Sequence, residues 1–272
     1  MLTRPETGEL LSTMRNAAEA AGAIALGWFR TGEPTNARID WKGGVSPVSE
    51  ADFAVDNFLR ERFTALMPEA GWLSEETTDS PERLERRQVF IVDPIDGTRA
   101  FISGDPRWAI STALVEDGRP VIAVLHMPAA GLTFTARAGL GAMLNDRPIQ
   151  ASARTNLAGA LVAGPPRLMD NMGRAGIEFI REPKIPSLAY RLARVGAGEI
   201  DVGIASTDAW DWDIAAADLI VREAGGLLTD LDEREPAYNR AIPRHGILGA
   251  APSSLHGELI AALRDAAKAP RS

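Results

Sequence analysis

Apolar positions recur at helical spacing over residues 8–29, where Leu11, Met14, Ala18, Ala21, Ile24 and Leu26 fall near one face and predict a long amphipathic helix. A loop with Gly32, Pro34 and the Gly43-Gly44 pair interrupts the pattern. Ser49 is a good N-cap, and after it Val55, Phe58, Leu59, Phe63 and Leu66 share one face of a second helix, closed by Pro68 and Gly71. The period then shortens. Residues 89–92 read as a short buried strand, and 108–115 and 121–127 as an antiparallel hairpin across Asp117-Gly118, a pair that tolerates the positive φ of a tight turn. Residues 132–136 and 141–144 extend this sheet before Asn145-Asp146 turns the chain, and the composition becomes rich in Ala, Gly and Pro through Pro166.

That change predicts a boundary near residue 150. Residues 1–150 form an N-terminal α+β half that carries most of the acidic motifs, and 151–272 a C-terminal α/β half. In the second half strands at 160–163, 202–205 and 246–250 alternate with helices at 187–195, 213–223 and 254–267, and Gly225-Gly226 stops the middle helix.

With 272 residues and 45% hydrophobic content the chain can build a substantial core, which excludes disorder. No run reaches the roughly 18 apolar residues of a membrane helix, and the polar start (MLTRPETGELLSTMRN) is unlike a signal peptide; we expect a cytoplasmic protein with no membrane partner. The absence of cysteine removes disulfides, thiolate nucleophiles and thiolate metal sites, leaving oxygen donors that favour hard cations. A net charge of -8 disfavours nucleic acid polymers, so a bound phosphate needs local positive charge, which a divalent metal supplies.

The most informative segment is Asp93-Pro94-Ile95-Asp96-Gly97-Thr98, directly after the strand at 89–92. Pro94 fixes its own φ and Gly97 permits a turn, so two carboxylates, a carbonyl and a hydroxyl gather at one strand end. The pair Glu75-Glu76 follows Trp72-Leu73, and a third acidic cluster, Asp208, Asp211 and Asp213, opens a helix. Taken alone, an Asp-Gly turn, a surface Glu pair and acidic residues at a helix start are ordinary, the last being good capping chemistry.

Together these residues resemble the inositol monophosphatase superfamily of magnesium-dependent, lithium-sensitive phosphatases. The matching motifs are Leu73-Ser74-Glu75-Glu76, Asp93 to Thr98 with Phe101, Trp212-Asp213-Ile214-Ala215-Ala216, and Glu223-Ala224-Gly225-Gly226. Pro47 to Asp52 and Gly139-Leu140-Gly141-Ala142 with Asn145 extend the match. The resemblance implies a layered α-β-α-β-α sandwich, commonly a homodimer, that hydrolyses a small phosphate ester with two or three Mg2+ per active site. It implies that Glu75, Asp93 and the Ile95 carbonyl hold one metal, and Asp93, Asp96 and Asp213 a second. It places Thr98 and Asp52 on the attacking water, and the amides of Gly97 and Thr98 on the phosphate. All-oxygen ligation suits magnesium, and metals roughly 4 Å apart clamp the attacking and leaving oxygens of an in-line displacement. Asp52 also stands three residues after Ser49, where it completes a capping box.

In inositol phosphatases a Glu seven residues before the last metal Asp binds ring hydroxyls; the corresponding residue here is Ser206, so Asp208 and Asp211 are the carboxylates left to replace it. A family Gly-Ser pair appears as Pro186-Ser187. Residues 98–102 and 186–191 look more like the branch that removes the 3′-phosphate of 3′-phosphoadenosine 5′-phosphate, with Ser187, Tyr190, Arg191 and Lys184 as candidates for the nucleotide's base or second phosphate, and Asp96 and Ser206 also facing substrate. The alternatives are an inositol-1-monophosphatase, a sugar or histidinol phosphate phosphatase, and a non-catalytic metabolite-binding protein. Trp210 and Trp212 read as packing or site-wall residues, and His126, His245 and His256 stand apart from the motifs.

Overall fold

The first periodic segment folds as α1 (Arg4–Leu26), with Met14, Ala18, Ala21 and Ala25 fully buried. The computed structural model describes residues 4–43 and 46–269; Gly44 of the expected break and the first three residues of the polar start lie outside them. Helix α1 ends three residues short of Phe29, where the amides of Gly27 and Trp28 tighten onto the carbonyls of Ile24 and Ala25. Within the expected loop, β1 (Ile39–Lys42) and β2 (Ser46–Ser49) form an antiparallel pair. Strand β1 buries no face, so it has no alternating signature. Ser49 then caps α2 (Glu50–Leu66) as expected.

A seven-stranded sheet follows in simple order: β3 (Gly71–Ser74), β4 (Gln88–Asp96), β5 (Ala109–Glu116), β6 (Arg119–Met127), β7 (Leu132–Arg137), β8 (Ala142–Leu144) and β9 (Arg147–Pro148). Only β3 and β4 pair in parallel, and α3 (Thr98–Ser103) sits between β4 and β5. Strand β4 runs beyond its expected end at Val92: Asp93 pairs with Ser111 and Asp96 with Ala109, with a register shift between them. Pro94 falls within that irregularity, where the ladder requires no N–H. The Asp-Gly turn after β5 takes the positive φ expected of it, 51° at Asp117 and 75° at Gly118.

The second half comprises β10 (Ala160–Ala163), α4 (Pro166–Arg174), β11 (Phe179–Arg181), α5 (Leu188–Gly196), β12 (Val202–Ala205), β13 (Ala209–Trp210), α6 (Asp211–Glu223), β14 (Gly226–Asp230), β15 (Arg244–His245), β16 (Leu248–Pro252) and α7 (Ser253–Lys268). Five of these strands form a second sheet in the order β11-β10-β12-β16-β14, and β13 pairs separately with β15. Helix α4 begins at the Pro166 that reads in sequence as the end of a loop; a proline fits the first helical position because its missing N–H has no partner there. The strand expected at 246–250 is displaced by two residues. Arg244 and His245 pair instead with Trp210 and Ala209.

Residues alternate across the large sheet as the pleat demands. Phe90, Val92, Ile110, Leu114, Ile122 and Val124 share a core with α1 and α2, whereas Val89, Ile91, Ala113, Ala123, Leu125 and Phe134 pack on the other side with α5 and α6. The same central core takes Ala163, Ala205, Leu228 and Ala250 from the small sheet, whose opposite side carries α4 and α7 through Val162, Val202, Ile204 and Leu259. The result is the α-β-α-β-α sandwich. Two motifs without acid chemistry meet here: both carboxylate oxygens of Glu223, at the end of α6, accept from the amides of Gly139, Leu140 and Gly141. Among the described residues no helix is long and apolar enough to cross a membrane.

Candidate active site

Four element starts and ends converge on one point. Asp93 and Asp96 leave the end of β4, Asp213 occupies the first turn of α6, and the three offer carboxylate oxygens within 4.8 Å of one another. Asp93 is 1% and Asp96 6% exposed, so their charges have little water to screen them. Burial foremost, and then the neighbouring carboxylates, drives the pKa of Asp93 and of Asp213 well above the usual range; the charges acting on Asp93 are Glu75, Asp96, Asp213 and Asp52. Burial raises Asp96 to about 6 despite the hydrogen bonds it accepts. A cluster of anionic oxygens that repel one another and lack water is what a hard divalent cation neutralises, and with no sulfur or nitrogen donor in it the set fits magnesium.

Asp213 and Asp96 also hold helix ends. Asp213 Oδ2 accepts from Trp210 N at 2.7 Å, closing a capping interaction at the start of α6. Asp96 receives Ala189 N at 2.7 Å, Leu188 N at 3.2 Å and the Ser187 hydroxyl, so it anchors the N-terminus of α5. Ser187 in turn caps that helix through Tyr190 N. Asp93 Oδ1 accepts from Ile95 N at 3.0 Å, which folds the Asp-Pro-Ile-Asp segment back on itself. Gly97 follows with φ of 94°, and a Cβ there would meet Ser187 N and Arg107 O at 3.3 and 3.4 Å. Only glycine fits both the angle and the close approach of α5.

Asp52 serves two partners with its two oxygens. Oδ2 takes the amide and hydroxyl of Ser49, at 2.8 and 2.6 Å, completing the capping box of α2. Oδ1 faces the Thr98 hydroxyl at 3.5 Å, and that hydroxyl also lies 3.2 Å from the Ile95 carbonyl oxygen. Burial raises Asp52 to about 6, against the opposing hydrogen bonds from Ser49.

Glu75 and Glu76 follow β3, and their loop is held from α2. Asp56, buried one turn after Asp52, accepts the hydroxyls of Ser74 and Thr77 on either side of the Glu pair. Lys42, at the end of β1, lies 2.6 Å from Glu76 and 3.4 Å from Glu75. Burial works against the Lys42 charge, but the two glutamates overcome it and hold its pKa above the ordinary value. Burial brings Glu76 to about 7, opposed by Lys42. Neither Lys42 nor Asp56 stood out in sequence. An Asp at i+4 from Asp52, on the buried face of α2, was the available sign for Asp56; an isolated lysine in a strand without a buried face offered none.

The remaining candidates lie apart from the carboxylates. Arg191 does not present a free cation: its guanidinium donates to the carbonyls of Ile185 and Ile204, joining α5 to β12. Tyr190 packs with Phe134, ring centroids 6.3 Å apart, and under the Arg194 guanidinium. Lys184 is exposed, and its carbonyl accepts from Arg107. Ser206 is exposed beside Asp208, which pairs with Arg244. Asp211 does not face the carboxylate cluster as a free acid; it is fully buried, with Oδ1 2.7 Å from His245 Nε2 and Oδ2 accepting Asn239 N at 2.8 Å. His245 therefore does have a partner within the acidic motif. The other histidines stand away, His126 on Thr133 and His256 on Thr229.

Comparison with known proteins shows the family. The chain is 37% identical over 239 residues to an inositol-1-monophosphatase of Rhizobium meliloti, covering 82% of this chain and 86% of that one. It is 32% identical over 247 residues to the 3′(2′),5′-bisphosphate nucleotidase CysQ of Aggregatibacter actinomycetemcomitans, covering 86% and 89%. The solved structure of a Thermotoga maritima IMPase superposes with a TM-score of 0.83 at 25% identity, over 96% of this chain and 98% of that one. The model of the inositol monophosphatase family matches residues 8–268, so the chain, a phosphoric monoester hydrolase with an acidic cluster able to hold a metal ion, belongs to the inositol monophosphatase family.

Proposed function

We propose that the chain is a magnesium-dependent 3′(2′),5′-bisphosphate nucleotidase that removes one phosphate from a 3′-phosphoadenosine 5′-phosphate-like ester. The observation that carries the phosphatase reading is the meeting of Asp93, Asp96 and Asp213 within 4.8 Å, with Glu75 electrostatically coupled to each of them. Glu75, Asp93, Asp96, Asp213 and the Ile95 carbonyl would hold the ions. When bound, magnesium neutralises the phosphate, lowers the pKa of water and orients both for in-line attack.

The residues around that centre supply positioning and proton transfer. The Thr98 hydroxyl, between Asp52 and the Ile95 carbonyl, orients the attacking water, and Asp52 accepts its proton. An acceptor with a pKa near 6 is ionised at neutral pH yet basic enough to take a proton in the transition state. Gly97, which can carry no side chain, leaves its own amide and that of Thr98 open to the phosphate at the head of α3. The loss of a free carboxylate where a polyol would be gripped supports the nucleotide substrate: position 206 is Ser, Asp208 is paired with Arg244, and Asp211 is buried against His245.

The test is kcat/KM for adenosine 3′,5′-bisphosphate against inositol 1-phosphate at matched magnesium. We expect the nucleotide to win by at least tenfold. An equal preference for inositol 1-phosphate overturns the nucleotidase reading, and absence of phosphate release from both overturns the reading as a phosphatase of these esters.

A further inference from the structure

Beside the carboxylate cluster lies a pocket of about 430 Å³ whose wall includes Glu75, Leu73, Trp210, Trp212, Ile242 and Pro243. Glu75 belongs to both the pocket and the site described above, so a phosphate ester held at that site would place its remaining group in this space or across its mouth. The size falls within the roughly 300–1,000 Å³ of ordinary small-molecule pockets.

The composition of the wall is specific. The Trp210 and Trp212 rings stack on each other with centroids 4.9 Å apart and planes within 4°, a parallel aromatic pair in the pocket wall. Ile242, 71% exposed, stands on the opposite loop as a large apolar side chain with little protein to cover it. Arg244, whose guanidinium is ion-paired with Asp208, lies 5.9 Å from the Trp210 ring centroid, and Arg240, also exposed, donates to the Arg244 carbonyl, so Arg240 is the cation beside the Ala241–Pro243 turn that is not in that pair. A polyol has no use for such a wall: each hydroxyl set against indole or isoleucine would lose its water without gaining a partner. A flat ring that stacks, attached to a second anionic group, fits both features.

The loop is held in place by buried polar contacts. Arg83, 2% exposed, donates to Asn239 Oδ1 at 2.7 Å and is itself paired with Asp79 on the pocket wall. The Asn239 amide reaches Asp211, whose other oxygen meets His245, and Asp211 N donates to the Pro243 carbonyl. Tyr238 bonds to buried Asp218 at 2.9 Å. These contacts fix residues 238–245 against the start of α6, so the aromatic pair and the Ile242 rim keep their spacing.

Building on the nucleotidase reading, we propose that the Trp210, Trp212 and Ile242 pocket is the specificity subsite for a planar heteroaromatic group on the leaving side of the substrate. Adenosine 3′,5′-bisphosphate and histidinol phosphate both carry such a ring, whereas glycerol 2-phosphate carries none. The test measures kcat/KM of the magnesium-loaded enzyme for all three esters in wild type, Ile242→Ser, Trp210→Ala and Trp210→Phe. Expected is a fall of about tenfold in the ratio of the preferred ring-bearing ester over glycerol 2-phosphate in Trp210→Ala, and about fivefold in Ile242→Ser, carried mainly by KM. Trp210→Phe should restore most of the ratio. The ring-bearing ester with the larger loss identifies the ring the pocket takes. Ile242 is exposed and its substitution leaves the fold intact, so the proposal stays testable if Trp210→Ala does not fold. Ratios unchanged within twofold in Ile242→Ser and Trp210→Ala overturn it. Should wild type release phosphate from none of the three, the nucleotidase reading fails, and titration with adenosine 5′-phosphate still decides the pocket. Quenching of tryptophan fluorescence that Ile242→Ser weakens supports it, and the absence of quenching overturns it.

Discussion

Asp213→Asn separates the two tasks of one side chain. Asp213 accepts Trp210 N through Oδ2 and lies in the cluster with Asp93 and Asp96. Asparagine keeps an acceptor for the cap and removes the charge. At 4.8 Å and an effective dielectric of about 20, two like charges repel by about 3 kcal/mol, and Asp213 faces two such neighbours, although shared protonation relieves part of this. Without metal, the substitution should therefore stabilise the protein by about 2 to 4 kcal/mol, or roughly 5–10 °C in Tm for a chain of this size. With magnesium the effect reverses, since wild type gains binding free energy that the variant largely lacks. Turnover should fall by about a hundred- to thousandfold, the cost of removing one preorganised charge from the transition state. Thermal melts in EDTA and in magnesium, paired with phosphate-release kinetics, check both signs. A variant that melts lower in EDTA makes Asp213 only a cap. One that keeps kcat/KM within threefold removes it from the site.

Acid should act oppositely on the metal-free and metal-loaded protein. Asp52 and Asp96 hold their protons to about pH 6 when folded and release them near 3.8 when unfolded, so the native state binds the extra protons between those values. Stability of the metal-free protein then falls as pH rises through that window, by roughly 1.4 kcal/mol per unit for each group, and magnesium, which needs the ionised carboxylates, should flatten or invert the trend. Urea melts at pH 4.5 and 7 with and without magnesium check this, and a metal-free protein that gains stability over the window refutes it. Asp56→Ala should strand the buried Ser74 hydroxyl and release the Glu75 loop, costing about 1 to 3 kcal/mol and weakening magnesium affinity roughly tenfold or more. Calorimetric titration with magnesium measures the second effect, and an unchanged affinity means that the Asp56 contacts do not position Glu75.

What was legible in the sequence was local, and what was not depended on contacts between distant segments. Asp93, Asp96, Gly97 and Thr98 are nearly consecutive, and Ser49 with Asp52 is a helix start visible in four residues. By contrast, Arg83 meets Asn239 from 156 residues away, and His245 meets Asp211 across 34. No period or spacing links such partners, and β15, which carries His245, and β13, which leads into Asp211, are each two residues long. Helix α4 was hidden by its own proline, and β1 by the lack of a buried face.

The sequence also set capping against site chemistry as rival readings of Asp52 and Asp213, and in the structure the two are compatible. A carboxylate has two oxygens. In Asp52 one oxygen takes the Ser49 amide at a helix start while the other faces the Thr98 hydroxyl, Asp213 takes the Trp210 amide and lies in the acidic cluster, and Asp96, in the same cluster, holds the start of α5. The helix ends thereby orient the acids, and they supply partial positive charge that offsets some of the repulsion among them. An acid placed to cap a helix is already immobile, buried and short of neutralising charge, which are the properties a cation site needs. Reading an Asp as a good N-cap therefore does not count against its being a ligand when three helix starts aim at one point, and it is their convergence, invisible in any one motif, that distinguishes this site from three ordinary caps.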